Sequence, residues 1–322
     1  MSAYDGPVVD AHHHVWQPRL GRQPWLRPGA AIPFRYGDYE ALKRDYMPDD
    51  LRADAEDAGV RLVGSVTMET EWEEDDPLGE MDWTAAVAAR EGLPTAGVAH
   101  AVLDASGVDA VLGALADRPF VRGVRHKPGQ APSPARAAAE PTLMTSPVWR
   151  RGYARLAEHG LPFELQTAWW HLDEAVDLVR AHPGTPVVLN HAGLPADRSE
   201  EGLAGWEAAL RRLAALEQVL VKISGIGRTD APWTAEGNRR VVETCVDAFG
   251  PERTMLASNF PVDSLTATYA EVWGGFREIT SGWSRDEQLD VFARTAVRHY
   301  RLPPALVDAG APVRAEPPLG SG

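Results

Sequence analysis

A chain of 322 residues with 44% hydrophobic residues can bury one large core or two ordinary ones. Its formal net charge of -14 argues against nucleic acid or an anionic membrane surface as partners, but not against a small anion in a locally basic pocket. The single cysteine, Cys245, cannot form an intrachain disulfide, and neither a secretory leader nor about 18 unbroken apolar residues is visible. A cytoplasmic protein is therefore the expectation.

In chain order, apolar runs recur at 7–12 (PVVDAH), 60–68, 94–102, 121–126, 161–167, 186–191, 219–225 and 253–260. Each is short and apolar on both faces, as expected of a strand buried on both sides of a parallel sheet. Between them, 80–92, 106–118, 148–160, 171–184, 203–217 and 236–250 show apolar spacing near 3.6, several closing on glycine. This alternation predicts a single (β/α)8 barrel over 1–302 with an arm or disordered tail at 303–322. The first strand lacks a Gly-rich dinucleotide fingerprint, which weakens the doubly wound alternative. Two connections are long, 17–48 after strand one and 128–146 after strand four. Both leave the strand ends where barrels build their sites, so substrate-binding or lid roles are expected of them.

Seven of the ten histidines fall at these strand ends or one turn beyond: His12, His13, His14, His100, His126, His171 and His191. Any one of them can be a packing residue, and His100 is read that way. The set as a whole points to metal binding, proton transfer or both. Alternation along a strand puts His12 and His14 on one face with Asp10 deeper on the same face, and His13 on the other. A strand-end His-x-His pair can place two nitrogens on one divalent ion, with His191 a third contributor across the mouth.

The stretches VVDAHHHVW, VRGVRHKPG, GLPFELQTAWWHL, VVLNHAGLPADR, VKISGIG and MLASNFPVDSL occur in that order across residues 7–300. Together they resemble the amidohydrolase superfamily. More narrowly they resemble its amidohydrolase-related branch of sugar-lactone hydrolases (L-fuconolactonase-like) and 2-pyrone-4,6-dicarboxylate lactonase. The resemblance implies a hydrolase that opens lactones with water, some members without metal. More distant relatives decarboxylate aromatic acids with zinc. By position it carries over His12 and His14 as the strand-one pair and His191 as the strand-six histidine. These three are the ligands if one divalent ion, zinc or manganese, is bound. It also implies substrate contacts from Arg125 or His126 on strand four and polar groups from Glu164 and Gln166 on strand five.

One departure is chemical. The superfamily's strand-eight aspartate is Asn259 here, and an amide cannot take a proton from water near neutrality. Another base (His191, Glu69 or Asp263), a different reaction, or lost catalysis would each accommodate it; a working enzyme with a reassigned base is preferred. The expected reaction is opening of a lactone or related cyclic ester of a small carboxylic or sugar acid. His12, His14, His191 and Asn259 form its catalytic group. Trp16, Arg125, His126, Gln166, Trp169 and Asp263 contact substrate, with Lys127 as a second carboxylate clamp. Glu69 is read as the salt-bridge partner of Arg125. The alternatives are a metal-dependent decarboxylase or hydro-lyase acting on a cyclic or aromatic acid, and an inactive acid-binding barrel. Oligomeric state, whether monomer or homo-oligomer, is left open.

Overall fold

Strands apolar on both faces need a sheet that is covered twice. The computed structural model of the chain, which describes residues 4–308, builds that sheet from eight parallel strands paired in chain order. They are β1 (Val8–His13), β2 (Leu62–Met68), β3 (Ala96–His100), β4 (Val121–Arg125), β5 (Phe163–Leu165), β6 (Val187–Leu189), β7 (Val219–Ile223) and β8 (Thr254–Leu256). The covering helices are α1 (Pro48–Asp57), α2 (Gly79–Glu91), α3 (Val108–Ala116), α4 (Pro147–Glu158), α5 (Leu172–Ala181), α6 (Glu200–Ala214), α7 (Ala235–Phe249) and α8 (Tyr269–Ile279). The fold is thus the expected (β/α)8 barrel. All eight apolar runs are strands, and α2 to α7 occupy the six amphipathic stretches. Helices α1 and α8, which the eight-unit barrel requires, fall outside those six stretches. Both are marked by local chemistry: Pro48 opens α1, and Thr268 with Glu271 forms a capping box on α8.

The apolar side chains divide into two layers. One fills the space between sheet and helices. The other lies inside the barrel, where Val9, Val66, Val98, Val188 and Met255 meet Val297 and Tyr300 of the C-terminal segment. Each such side chain contributes about 1.5–3 kcal/mol by leaving water. Of the expected tail, Ala305–Asp308 is a short helix, with Leu306 and Val307 packed against the inner layer. Residues 309–322 lie outside the described residues.

The join between β8 and β1 positions the site. Just past the end of β8, the Asn259 N–H donates to the His12 carbonyl (2.8 Å) and the His14 N–H donates to the Phe260 carbonyl (2.7 Å). Below them the buried Asp10 carboxylate accepts from the Ser258 N–H (3.0 Å), the Ser258 hydroxyl (2.5 Å) and the Tyr269 hydroxyl of α8 (3.1 Å). Burial, opposed by these hydrogen bonds, pushes the Asp10 carboxyl up to about 6.

Asp10 therefore faces the helices and not the face shared by His12 and His14, which corrects the simple alternation. The cause is a β-bulge. Against β2, Asp10 pairs with Ser65 and His13 with Thr67, so three steps along β1 match two along its neighbour. The extra residue resets the alternation. Val9 and Ala11 line the inner layer, and His12 then turns inward as well.

Asp10→Ala leaves the Ser258 and Tyr269 hydroxyls and the Ser258 and His12 N–H groups buried without this acceptor. It is expected to lower unfolding free energy by about 2–4 kcal/mol, measured by urea denaturation. A loss below about 0.5 kcal/mol would contradict the structural role given to this join.

Candidate active site

The C-terminal strand ends surround a cavity of about 240 Å³ lined by His14, Trp16, Glu69, Arg125, Lys127, Gln166, His191 and Asn259. The segment 17–48 closes one side with Trp25, Phe34, Arg35 and Tyr36. His12 sits beneath, its ring centroid 4.6 Å from that of His191 and 5.4 Å from that of His14. Both His12 ring nitrogens are buried and have no hydrogen-bond partner within the protein. The neighbouring rings are each held at one nitrogen. His14 Nδ1 donates to the Met68 carbonyl (3.3 Å), and His191 Nδ1 shares a hydrogen bond with the Ser224 hydroxyl (2.9 Å).

All three imidazoles are kept neutral. Burial lowers His14 to about 3, assisted by the positive charge of Arg125. Burial also takes His12 and His191 well below the ordinary value; the neighbouring His191 adds to it for His12, and Arg35 and Arg125 for His191. His13 faces away from this group, its Nδ1 donating to the His14 carbonyl (3.3 Å).

Arg125 is fixed on three sides. Its Nε donates to Glu69 Oε1 (2.6 Å), Nη2 to the Glu69 carbonyl (3.0 Å) and Nη1 to Gln166 Oε1 (2.9 Å). Burial alone would raise the Glu69 carboxyl, but Arg125 and Lys127 outweigh it and hold the group ionised far below the usual carboxylate range. Glu69 is thus the ion-pair partner expected from sequence, its two oxygens engaged by Arg125 Nε and the Glu71 N–H. Deeper still, Lys222 pairs with Glu164 (3.0 Å), which also accepts from Asn190 Nδ2 (2.5 Å) and from the Tyr300 hydroxyl. Burial lowers Lys222 to about 8, with Glu164 partly restoring it.

Three residues expected to contact substrate do not line this cavity, although His126 lines an adjoining one that shares Glu69, Glu71 and Lys127 with it. His126 turns away from the cavity because its Nδ1 accepts from the Leu103 N–H (3.0 Å) and the Trp149 indole (2.9 Å). Trp169 packs on Trp170 and against Gly205 of α6, where an added Cβ would lie 2.7 Å from its ring. Asp263 stands behind Asn259, its Oδ1 accepting from Asn259 Nδ2 (2.7 Å) and the Tyr36 hydroxyl (3.0 Å). His171, counted among the mouth histidines, instead ties the long connection after β4, its Nε2 accepting from the Ala131 N–H (2.9 Å). Tyr36 and Arg35 also line the cavity, from the long connection after β1. The sequence marks their segment as long, but nothing in its pattern shows which residues fold back over the mouth.

Backbone geometry sharpens the roles of two positions. His191 and Asn259 both adopt left-handed φ, +54° and +58°. For a non-glycine residue this conformation is costly, least so for asparagine, and it concentrates at functional sites. With its Nδ2 committed to Asp263, Asn259 has its Oδ1 left to face other partners.

The family resemblance raises the question of a divalent ion. The unpartnered nitrogens of His12 are suitable donors, and neutral imidazole is the ligating form. Yet no three His, Cys, Asp or Glu side chains among the described residues are disposed to hold a metal ion. The one position where a carboxylate would add negative charge carries an amide. Arg35, Arg125 and Lys222 also impose a positive field on the imidazoles. Among the described residues this arrangement forms no clear site for a divalent cation.

Asp263 makes the amide at 259 intelligible. A carboxylate there would meet the Asp263 carboxylate at hydrogen-bond distance, and two such groups cannot both ionise. Asn259→Asp alone is expected to lower turnover at least about 10-fold, while the exchange Asn259→Asp with Asp263→Asn restores much of it. Steady-state rates of the three proteins decide this. Burial raises Asp263 to about 6. Its negative charge, which strengthens the bonds from Asn259 and Tyr36, is therefore lost as pH falls through that value. Activity should show an acid limb near pH 6 that disappears in Asp263→Asn, and an unchanged limb would assign the titration elsewhere.

A family model described as Amidohydrolase matches residues 9–302. An uncharacterized protein of Sinorhizobium fredii is 34% identical over 299 residues, covering 92% of this chain and 99% of its own. An L-fucono-1,5-lactonase of Burkholderia multivorans is 30% identical over 313 residues, covering 92% of this chain and 96% of its own. An amidohydrolase from Burkholderia multivorans, solved with zinc bound, superimposes with a TM-score of 0.75 at 28% identity, over 92% of this chain and all of that one. With the barrel and the converging imidazoles, these matches establish that the chain belongs to the amidohydrolase family and is a hydrolase of that family.

Proposed function

We propose that this hydrolase opens a lactone, or a closely related cyclic ester, with water. The observation that carries the proposal is the buried group of neutral imidazoles, His12 with both nitrogens unpartnered, beside a guanidinium that retains unused donors. The similarity to an L-fucono-1,5-lactonase supports the same chemistry.

Ring opening needs a base for water, a stabiliser for the oxyanion and an acid for the leaving alkoxide. His191 is assigned as the base. In the assigned tautomer Nδ1–H donates to the Ser224 hydroxyl, which leaves the lone pair on Nε2. The water proton passes to Nε2 as the oxygen adds to the carbonyl carbon. Asn259 Oδ1 orients the water by accepting its second hydrogen. Three of the five N–H groups of Arg125 are committed, and the remaining two face the developing oxyanion. Collapse breaks the ring C–O bond, and the imidazolium returns its proton to the alkoxide. The strongly lowered pKa of His191 favours this return, since its charged form is short-lived among Arg35, Arg125 and Lys222. His14 lines the cavity and contacts the ring, while His12 packs beneath it against His191. No step passes through a metal.

The test is a panel of 1,4- and 1,5-lactones assayed by acid release, with chelator-treated protein and with added zinc or manganese. At least one lactone is expected to be opened by the chelated protein. His191→Ala, folded by circular dichroism, should lose about 10²–10⁴-fold in kcat/KM. Opening that requires added metal would contradict the assigned chemistry. Release of carbon dioxide from an aromatic acid, with no lactone opened, would replace the reaction class.

A further inference from the structure

The cations around the cavity are not equivalent. Arg125 is neutralised by Glu69 in a buried pair (2.6 Å), and Lys127 is paired with Glu71. Lys222 is spent on Glu164 beneath. Arg35 lines the same cavity and has no carboxylate partner among the described residues. Its position is nonetheless set. The guanidinium carbon lies 4.9 Å from the Tyr36 ring centroid, and the Tyr36 hydroxyl is tied to buried Asp263 (3.0 Å). Its field reaches inward, since it is the leading charge acting on both His191 and Asp263.

An exposed arginine without a partner is ordinary on a surface. One that lines a small cavity above the reacting group, in a chain of net charge -14, is a local positive site in a negative molecule. The carboxylates next to the other cations engage them directly, so Arg35 is the cavity cation without an ion-pair partner among the described residues.

We propose that Arg35 is a specificity-determining residue that binds a carboxylate on the substrate, so that the preferred lactone is an anionic one. A planar guanidinium accepts a carboxylate through two parallel N–H bonds. The ring would then lie between Arg35 at the mouth and the imidazoles below, with its carbonyl toward Arg125. This assignment rests on the lactonase reading for its chemistry, but its central contact is a binding event that can be measured without turnover. It moves the carboxylate clamp from Arg125 and Lys127, as expected from sequence, to a residue on the connection after β1.

The experiment compares an aldono-1,5-lactone with the corresponding aldaro-1,5-lactone, in which the terminal CH2OH is a carboxylate. In parallel, calorimetry measures binding of the open-chain aldarate to wild type, Arg35→Gln and Arg35→Lys. Wild type is expected to prefer the aldarolactone. In Arg35→Gln that preference, as a ratio of kcat/KM values, should fall about 10- to 100-fold through KM, and aldarate affinity should fall by a similar factor. Arg35→Lys should recover part of both. Equal losses on the two lactones, a wild-type preference for the neutral one, or aldarate binding indifferent to Arg35 would each overturn the proposal. If wild type opens neither lactone, the wider lactone panel decides the hydrolytic reading, while the calorimetry still decides whether Arg35 binds a carboxylate.

Discussion

One inserted residue in the first strand determines where the chemistry can occur. A regular β1 would send Asp10, His12 and His14 to the same side. The bulge between Asp10 and His13 instead gives Asp10 to the helix layer and both histidines to the barrel mouth. The same residues join the ends of the sheet. The backbone of His12 and His14 bonds to that of Asn259 and Phe260, and Asp10 holds Ser258. Closing the barrel and bringing strand eight's amide to strand one's imidazoles are therefore one structural event. A perturbation of the join moves His12 and Asn259 together.

The second governing constraint is charge assignment. Burying several ionisable groups in one mouth is tolerable only if each charge is cancelled or removed. Glu69 and Glu164 are cancelled by Arg125 and Lys222, and the imidazoles are rendered neutral by burial within the resulting positive field. Asn259 fits the same scheme. It is the neutral residue that can lie against Asp263 by donating to it, whereas an aspartate would add a second buried negative charge. The departure from the superfamily pattern is thus compensated locally, and the compensation fixes the orientation of the amide.

The sequence made the barrel legible because its strands are buried on both faces, so each is a nearly unbroken apolar run with a helix signature after it. Strand ends were equally legible, and with them His14, Arg125, Gln166, His191 and Asn259 around a common cavity. Alternation located the inward pair at His12 and His14 but misplaced Asp10, since a bulge leaves no mark in a pattern of polar and apolar letters. His126 and Trp169 stand outside the imidazole cavity for another reason. A residue next to a strand end has two directions available, and the choice is made by distant partners, Trp149 for His126 and Gly205 for Trp169. Arg35 and Tyr36 reach the site from a segment without periodicity. Their placement depends on Asp263, 227 residues away from Tyr36.

The account stands on neutral imidazoles at His12, His14 and His191. Nitrogen-15 correlation spectra of the histidine rings, recorded across pH 5 to 8, read protonation and tautomer directly. Three rings that remain neutral throughout, with His191 protonated at Nδ1, are the predicted result. Titration of any of the three near the ordinary histidine value of about 6.5 would contradict it.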